Sequence, residues 1–179
     1  WDGIIPALIA KKFDAIVASM SITAERKKQV DFSKKYYNTP PAIVVPKDSD
    51  IKEATPEALA GKTLGAQGST THSNYAEAHM KDAEVKLYPT ADEYKLDIAN
   101  GRIDAVVCDD PVAANYALQT EKYKGKLKIG GIIESGEDEF YGIAVKKGDK
   151  ENLALINKGI AAVKAKGIDK ELMKKWIGQ

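Results

Sequence analysis

Two short polar clusters in this chain offer complementary chemistry at matching places. Ser19-Met20-Ser21-Ile22-Thr23 supplies hydroxyl groups, and Cys108-Asp109-Asp110 supplies two carboxylates. Each follows a copy of one pattern, Lys12-Phe13-Asp14-Ala15-Ile16-Val17 in the first case and Arg102-Ile103-Asp104-Ala105-Val106-Val107 in the second. Neutral donors at one strand end and carboxylates at another suit a small ligand that carries both charges. The plainer alternative is that Asp-Ala-aliphatic-aliphatic is a common way to enter a buried strand.

The elements that must present these clusters follow from apolar patterning. Residues 1–12 place Ile4, Ile5, Leu8 and Ile9 on one helical face, and 13–18 form a continuous apolar run suited to a parallel strand. Thr23 reads as the cap of a short helix over 23–30, and 42–45 as a strand closed by Pro46 after the irregular stretch 36–41. Further on, helices are predicted near 55–60, 71–82, 91–100, 111–120, 150–166 and 170–176. Strands are predicted over 63–66, 84–88, 126–129 and 140–145. This alternation predicts mostly parallel sheets, and the repeated motif predicts two of them. The resulting expectation is a two-lobed α/β chain, with 1–40 and 142–179 in the first lobe and 41–141 in the second, joined by two extended hinge segments. Ligands of such sheets gather beyond the carboxyl ends of the strands, where both polar clusters fall.

Composition narrows the function classes. Basic and acidic residues number 27 and 26, for a net charge of +1, which gives no support for nucleic-acid or membrane-surface binding. With 44% hydrophobic and 30% charged residues over 179 positions, the chain is globular in type rather than disordered. No stretch approaches the roughly 20 apolar residues of a membrane span. The single cysteine, Cys108, reads as a small buried hydrophobe with no argued base partner. His72 and His79 lie two turns apart on one helix with no further metal ligand assigned, so a solvated face is expected and no metal or other cofactor. There is no Gly-rich phosphate loop and no nucleophile elbow.

The succession Trp1-Asp2-Gly3-Ile4-Ile5-Pro6, Phe13-Asp14-Ala15-Ile16-Val17, Ser19-Met20-Ser21-Ile22-Thr23-Ala24-Glu25-Arg26, Val30-Asp31-Phe32-Ser33 and Tyr36-Tyr37 resembles the polar amino-acid-binding proteins of bacterial ABC importers, the class containing the histidine and lysine-arginine-ornithine binders. The resemblance covers essentially the whole chain and implies a clamshell periplasmic-binding-protein fold of type II. It implies that Arg26 holds the ligand α-carboxylate, a task that suits a planar guanidinium able to make two parallel hydrogen bonds. Ser19 and Ser21 match positions that add hydrogen bonds, although Ser21 and Thr23 also suit helix capping. Ala18 stands where the basic-amino-acid binders carry a serine.

In the second lobe, Gln67-Gly68-Ser69-Thr70-Thr71 resembles the loop whose threonine and helix-terminal amides also contact the carboxylate, with Thr70 at the matching position and Gly68 allowing close approach. Capping of the following helix is the alternative for Ser69 and Thr70, and the two roles are compatible. Asp109 matches the aspartate that takes the α-ammonium, while Asp110 before Pro111 reads as an N-cap with proline at the first helical position. Trp1 coincides with the aromatic that stacks on the ligand side chain.

The family opens with a strand-helix-strand unit ahead of the position of Trp1, so the resemblance implies a first lobe that is incomplete here and, through an exposed strand edge, self-association. The start at Trp1, without methionine, suggests a processed or trimmed chain. The expected function is capture of an L-amino acid, basic or opine-like, in the periplasm or at a tethered extracellular site, and delivery to an ABC permease. The expected chain is not an enzyme. The alternatives are a cyclohexadienyl-dehydratase-like enzyme, for which the acidic loop 134–139 could carry an acid-base group although a solvated turn is the preferred reading, and a sensory domain on the same scaffold.

Overall fold

The computed structural model describes residues 1–135 and 139–177. They fall into two compact units: one takes Trp1 with the described part of Pro40–Glu137, the other Asp2–Thr39 with the described part of Asp138–Gln179.

The first of these is built on a five-stranded sheet in the order β6-β5-β7-β4-β8, formed by β4 (Pro41–Pro46), β5 (Thr63–Gln67), β6 (Glu84–Tyr88), β7 (Ala105–Asp109) and β8 (Leu127–Ile132). Around it lie α3 (Thr71–His79), α4 (Ala91–Ala99), α5 (Asp110–Ala114) and a π-helical turn, Asn115–Gln119. β5 runs parallel to β6 and β7, but β4 is antiparallel to both of its neighbours. The sheet is therefore mixed where a mostly parallel one is predicted. The apolar run Ala42-Ile43-Val44-Val45 records burial on two faces, and it carries no sign of strand direction. Ala42 and Val44 join one core with Tyr94, Ile98, Val106 and Tyr116. Ile43 and Val45 join another with Leu59, Leu64, Met80 and Val107.

The second unit contains α1 (Ile4–Ile9), β1 (Ala15–Ser21), α2 (Ala24–Gln29), β2 (Val30–Phe32), β3 (Tyr37–Asn38), β9 (Phe140–Lys146), α6 (Lys150–Ala165) and α7 (Ile168–Trp176). β9 is the central strand and pairs antiparallel with β1, β2 and β3, so the parallel strand expected over 13–18 is antiparallel and begins two residues later. Gly142 sits where β9 passes beneath Ile22 and Phe32: a Cβ there would lie 2.8 Å from Ile22 Cδ1 and 3.0 Å from Phe32 Cδ1. Among the described residues β1 has β9 as its only sheet neighbour, and Val17 on this strand is 71% exposed. An apolar groove of about 580 Å³ runs between Val17, Tyr37, Ile143, Ile160 and Trp176.

Two predicted helices change form. Residues 55–60 form hydrogen-bonded turns and no regular helix, with Leu59 N–H to Thr55 O at 3.1 Å and Ala60 N–H to Glu57 O at 3.4 Å, and Gly61 at φ +71° ends them. The helix expected over 111–120 is α-helical only to Ala114 and then widens, with Thr120 N–H reaching Asn115 O at 3.0 Å.

The repeat is real as local structure. In both copies a helix ends, the chain turns through an aspartate, and a strand begins at the following alanine. In the second copy the Asp104 carboxylate accepts the Thr63 N–H at 2.8 Å and so fixes the start of β5 beside β7. Nearby, Asp97 locks α4 to β6. It accepts from Tyr88 Oη at 2.7 Å, from Arg102 Nη1 at 2.8 Å and from Lys86 Nζ at 2.9 Å. These donors hold its carboxyl well below the usual carboxylate range, the Tyr88 hydrogen bond foremost. A depressed folded-state pKa contributes stability above the unfolded value of about 3.9, and that contribution fades as pH falls toward the folded value. Asp97→Asn should therefore lower the melting temperature at pH 7, with the gap to wild type closing progressively below about pH 4. Melting curves at stepped pH test this, and a gap that stays constant down to pH 2 would remove the ionised network as its cause.

Candidate functional site

The residues predicted for the site are divided between the two units. In the unit centred on β9, the strand β1 is irregular between Ile16 and Met20, where its register against β9 shifts. Ser19 lies in this irregular stretch with φ +53°, a left-handed conformation uncommon for a residue with a side chain. Backbone strain of this kind persists where the surroundings enforce it and is concentrated at functional sites. It leaves the Ser19 side chain exposed while Met20 and Ser21 turn inward.

Ser21 is buried, and its hydroxyl lies 3.3 Å from Glu139 Oε2. Its carbonyl accepts from Arg26 Nη1 at 2.8 Å. The arginine occupies the third position of α2, where its own N–H is capped by Thr23 Oγ1 at 3.1 Å. Thr23 therefore takes the capping role that the sequence left open between it and Ser21. The guanidinium is folded back from the first helical turn onto the end of β1, which brings Arg26 and Ser21 together. A cation this near a helix N-terminus opposes the helix dipole, so its placement is explained by the carbonyl that holds it. Ringed around the same strand end, Tyr37 stacks on Tyr141 with centroids 5.7 Å apart.

In the other unit, Thr70 caps α3. Its Oγ1 accepts from Ser73 N–H at 3.0 Å and donates to Gln67 O at 2.8 Å, while its own N–H is taken by Ser73 Oγ at 3.1 Å. Ser69, just before it, has φ +60°, and its carbonyl accepts from Trp1 Nε1 at 3.1 Å. Trp1 is thereby fixed to the loop that carries Gly68 and Thr70. At Gly68 a Cβ would meet nothing closer than Tyr88 O at 3.9 Å, so the protein itself does not demand glycine there.

Asp109 ends β7 and occupies the N-cap position of α5 but makes no side-chain capping bond. The cap expected at Asp110 is therefore displaced by one residue: Asp110 is the first residue of α5 and Pro111 the second. Burial pushes the Asp110 carboxyl upward in pKa. The Asp109 carboxylate instead lies with Oδ1 3.2 Å from His72 Nε2, and both side chains are sheltered.

Two residues that were not assigned to the binding site lie against residues that were, His72 against Asp109 and Glu139 against Ser21. His72 is 5% exposed, against the expected solvated face. The signal was present: His72, Ala76 and Met80 recur every four residues and are all buried, which is the inward stripe of α3. His79 does lie on the exposed side, against Tyr75. Of the acidic loop 134–139, Glu134 is exposed and Glu139 reaches Ser21, which departs from a wholly solvated turn; 136–138 lie outside the described residues.

In one unit the bulged end of β1 carries hydroxyls and the Arg26 guanidinium, and in the other the capped N-terminus of α3 lies beside the Asp109 carboxylate. The model of the bacterial extracellular solute-binding proteins, family 3, matches residues 1–179. The chain belongs to that family.

Similar proteins match nearly the whole of this chain. An L-arginine-binding protein of Pseudomonas aeruginosa is 38% identical over 181 residues, covering 99% of this chain and 70% of that protein. The structure of an ancestral arginine-binding protein bound to arginine matches with a TM-score of 0.85 at 42% identity, covering 98% of this chain and 76% of that one. An ancestral amino acid-binding protein described as a precursor of cyclohexadienyl dehydratase matches with a TM-score of 0.87 at 35% identity, covering 99% of this chain and 74% of that one. This family 3 solute-binding protein thus has the two-lobed α/β fold of its relatives, and the relatives named here are binding proteins.

Proposed function

We propose that this solute-binding protein captures a basic L-amino acid, L-arginine first among them, and delivers it to an ABC permease from the periplasm or a tethered extracellular position. No helix among the described residues is long and apolar enough to cross a membrane. The observation that carries the reading is the Arg26 guanidinium, anchored by the Ser21 carbonyl at the bulged end of β1, where a ligand carboxylate would find a charged planar partner. In this reading Ser19 and Ser21 add hydrogen bonds, Gly68 allows close approach, Thr70 caps the helix whose terminal amides meet the carboxylate, Asp109 takes the α-ammonium and Trp1 lies against the ligand side chain. The arginine bound by the ancestral relative and named in the Pseudomonas protein supports the basic side chain.

Isothermal calorimetry with L-arginine, lysine, ornithine and histidine is the test. One molecule of a basic amino acid bound per chain is expected, with arginine tightest; no heat with any of the four would overturn the proposal. A second reading, turnover of a cyclohexadienyl substrate, draws on the dehydratase precursor among the similar structures and on Glu139 beside Ser21. It is tested by assaying prephenate and arogenate, and no turnover is expected. Self-association through the edge of β1 that pairs with no strand among the described residues belongs to the same proposal and is read in the calorimetry samples by sedimentation equilibrium. Dimer is expected, and monomer at every concentration would exclude it.

A further inference from the structure

The assigned subsites do not account for His72. Its side chain is buried at the second position of α3, and Nε2 has no aligned hydrogen-bond partner among the described residues. Yet that nitrogen lies 3.2 Å from Asp109 Oδ1, in the same compact unit. Asp109 stands at the N-cap position of α5, where an aspartate would ordinarily turn its carboxylate onto the helix amides. No such bond is made, and the carboxylate faces α3 instead. A polar nitrogen sheltered from water has strong reason to find a partner, and among the described residues of this unit the acidic oxygen within ion-pair distance of it is that of Asp109.

We propose that His72 is a positioning residue for the ammonium subsite: in the tautomer with hydrogen on Nε2 it donates to one oxygen of Asp109, holding the carboxylate away from α5 so that its other lone pairs meet the ligand's α-ammonium. The inference rests on the reading of Asp109 as the ammonium acceptor and adds the group that sets its orientation. A carboxylate has about four acceptor sites, so a lateral donor and an ammonium can share it. Removing the rotational freedom of the carboxylate before the ligand arrives lowers the cost of ordering it on binding. The effect belongs to ligands with an α-amino group. An analogue that keeps the guanidinium and the carboxylate but lacks the amine gains nothing from an oriented Asp109.

The test uses two probes, L-arginine and 5-guanidinopentanoate, which is arginine without its α-amino group. His72→Met keeps much of the side-chain volume and removes the donor, while His72→Gln offers an amide N–H at nearly the same reach. For L-arginine, His72→Met should weaken binding about tenfold and His72→Gln should recover most of that loss. For 5-guanidinopentanoate neither substitution should change the dissociation constant by more than about twofold, and on an Asp109→Asn background His72→Met should add no further loss. Equal loss of both probes, or no recovery by glutamine, would overturn the positioning role. If Asp109→Asn leaves L-arginine affinity unchanged, the ammonium assignment itself falls and this inference with it. If Asp109→Asn weakens binding while His72→Met does not, only the inference falls. Should His72→Met fail to fold, the wild type decides by nitrogen NMR. The His72 Nε2 resonance should move on adding L-arginine and stay in place with 5-guanidinopentanoate; the same response to both would count against the proposal.

Discussion

Arg26→Ala should weaken L-arginine binding by about 2 to 5 kcal/mol, roughly 30-fold to several-thousand-fold in dissociation constant. The size follows from what the substitution leaves behind. A ligand carboxylate would enter a partly desolvated place without its cation, and an uncompensated charge there costs more than the lost pair is worth in isolation. The geometry adds to this. Thr23 caps the Arg26 N–H and the Ser21 carbonyl holds Nη1, so the side chain is ordered before any ligand arrives and little rotamer freedom remains to be lost. The same geometry predicts that Arg26→Lys restores little, since an ammonium cannot hold a backbone carbonyl and present a flat pair of donors together. Calorimetry on both variants, with circular dichroism to show that they are folded, settles the point. An alanine variant with wild-type affinity would remove Arg26 from the site.

What was legible in the sequence, and what was not, divides along physical lines. The repeated Asp-Ala-aliphatic entry was visible because a local turn and a strand start are short-range events, and both copies form them. The direction of the strands was not. A run such as Ala42-Ile43-Val44-Val45 reports only that both faces are covered, and here an antiparallel strand lies at the interior of a mixed sheet. The turn at 55–60 read as a helix because its hydroxyl and apolar spacing are helical for one turn, and Gly61 then ends it. Among the polar residues, Arg26 and Thr70 were singled out by the resemblance, and the caps that seat them, Thr23 on α2 and Thr70 on α3, are local in the chain. The Ser19 bulge and the His72 pairing with Asp109 are not, because each depends on a distant strand: β9 sets the register that buckles β1, and β7 carries the carboxylate to α3.

Ile43→Ala should be the most destabilising single truncation in the larger unit, at about 2 to 5 kcal/mol, a large share of the 5 to 15 kcal/mol by which a domain is ordinarily stable. Ile43 is fully buried on a strand with neighbours on both sides, Val107 across one ladder and Gly131 across the other. The ladder to β8 shifts register between Ile43 and Val44, and the residue taken up in that shift is Gly130. A Cβ on Gly130 would lie 3.1 Å from both Ile43 Cγ1 and Ile43 Cδ1, so the isoleucine occupies the space that a side chain on β8 would otherwise fill. Truncating it opens a cavity roofed by glycine, with no neighbouring side chain on that residue to relax into the gap. Denaturant titration followed by fluorescence should show a lower midpoint, whereas Leu118→Ala, at a half-exposed position of the same unit, should cost far less. The same contacts predict a compensation. Gly130→Ala alone should destabilise by crowding Ile43 and Val45, whose Cγ1 would be 2.8 Å away, but in the Ile43→Ala background it should return part of the lost stability. Strictly additive losses in the double variant would mean that Ile43 acts through some contact other than the space above Gly130.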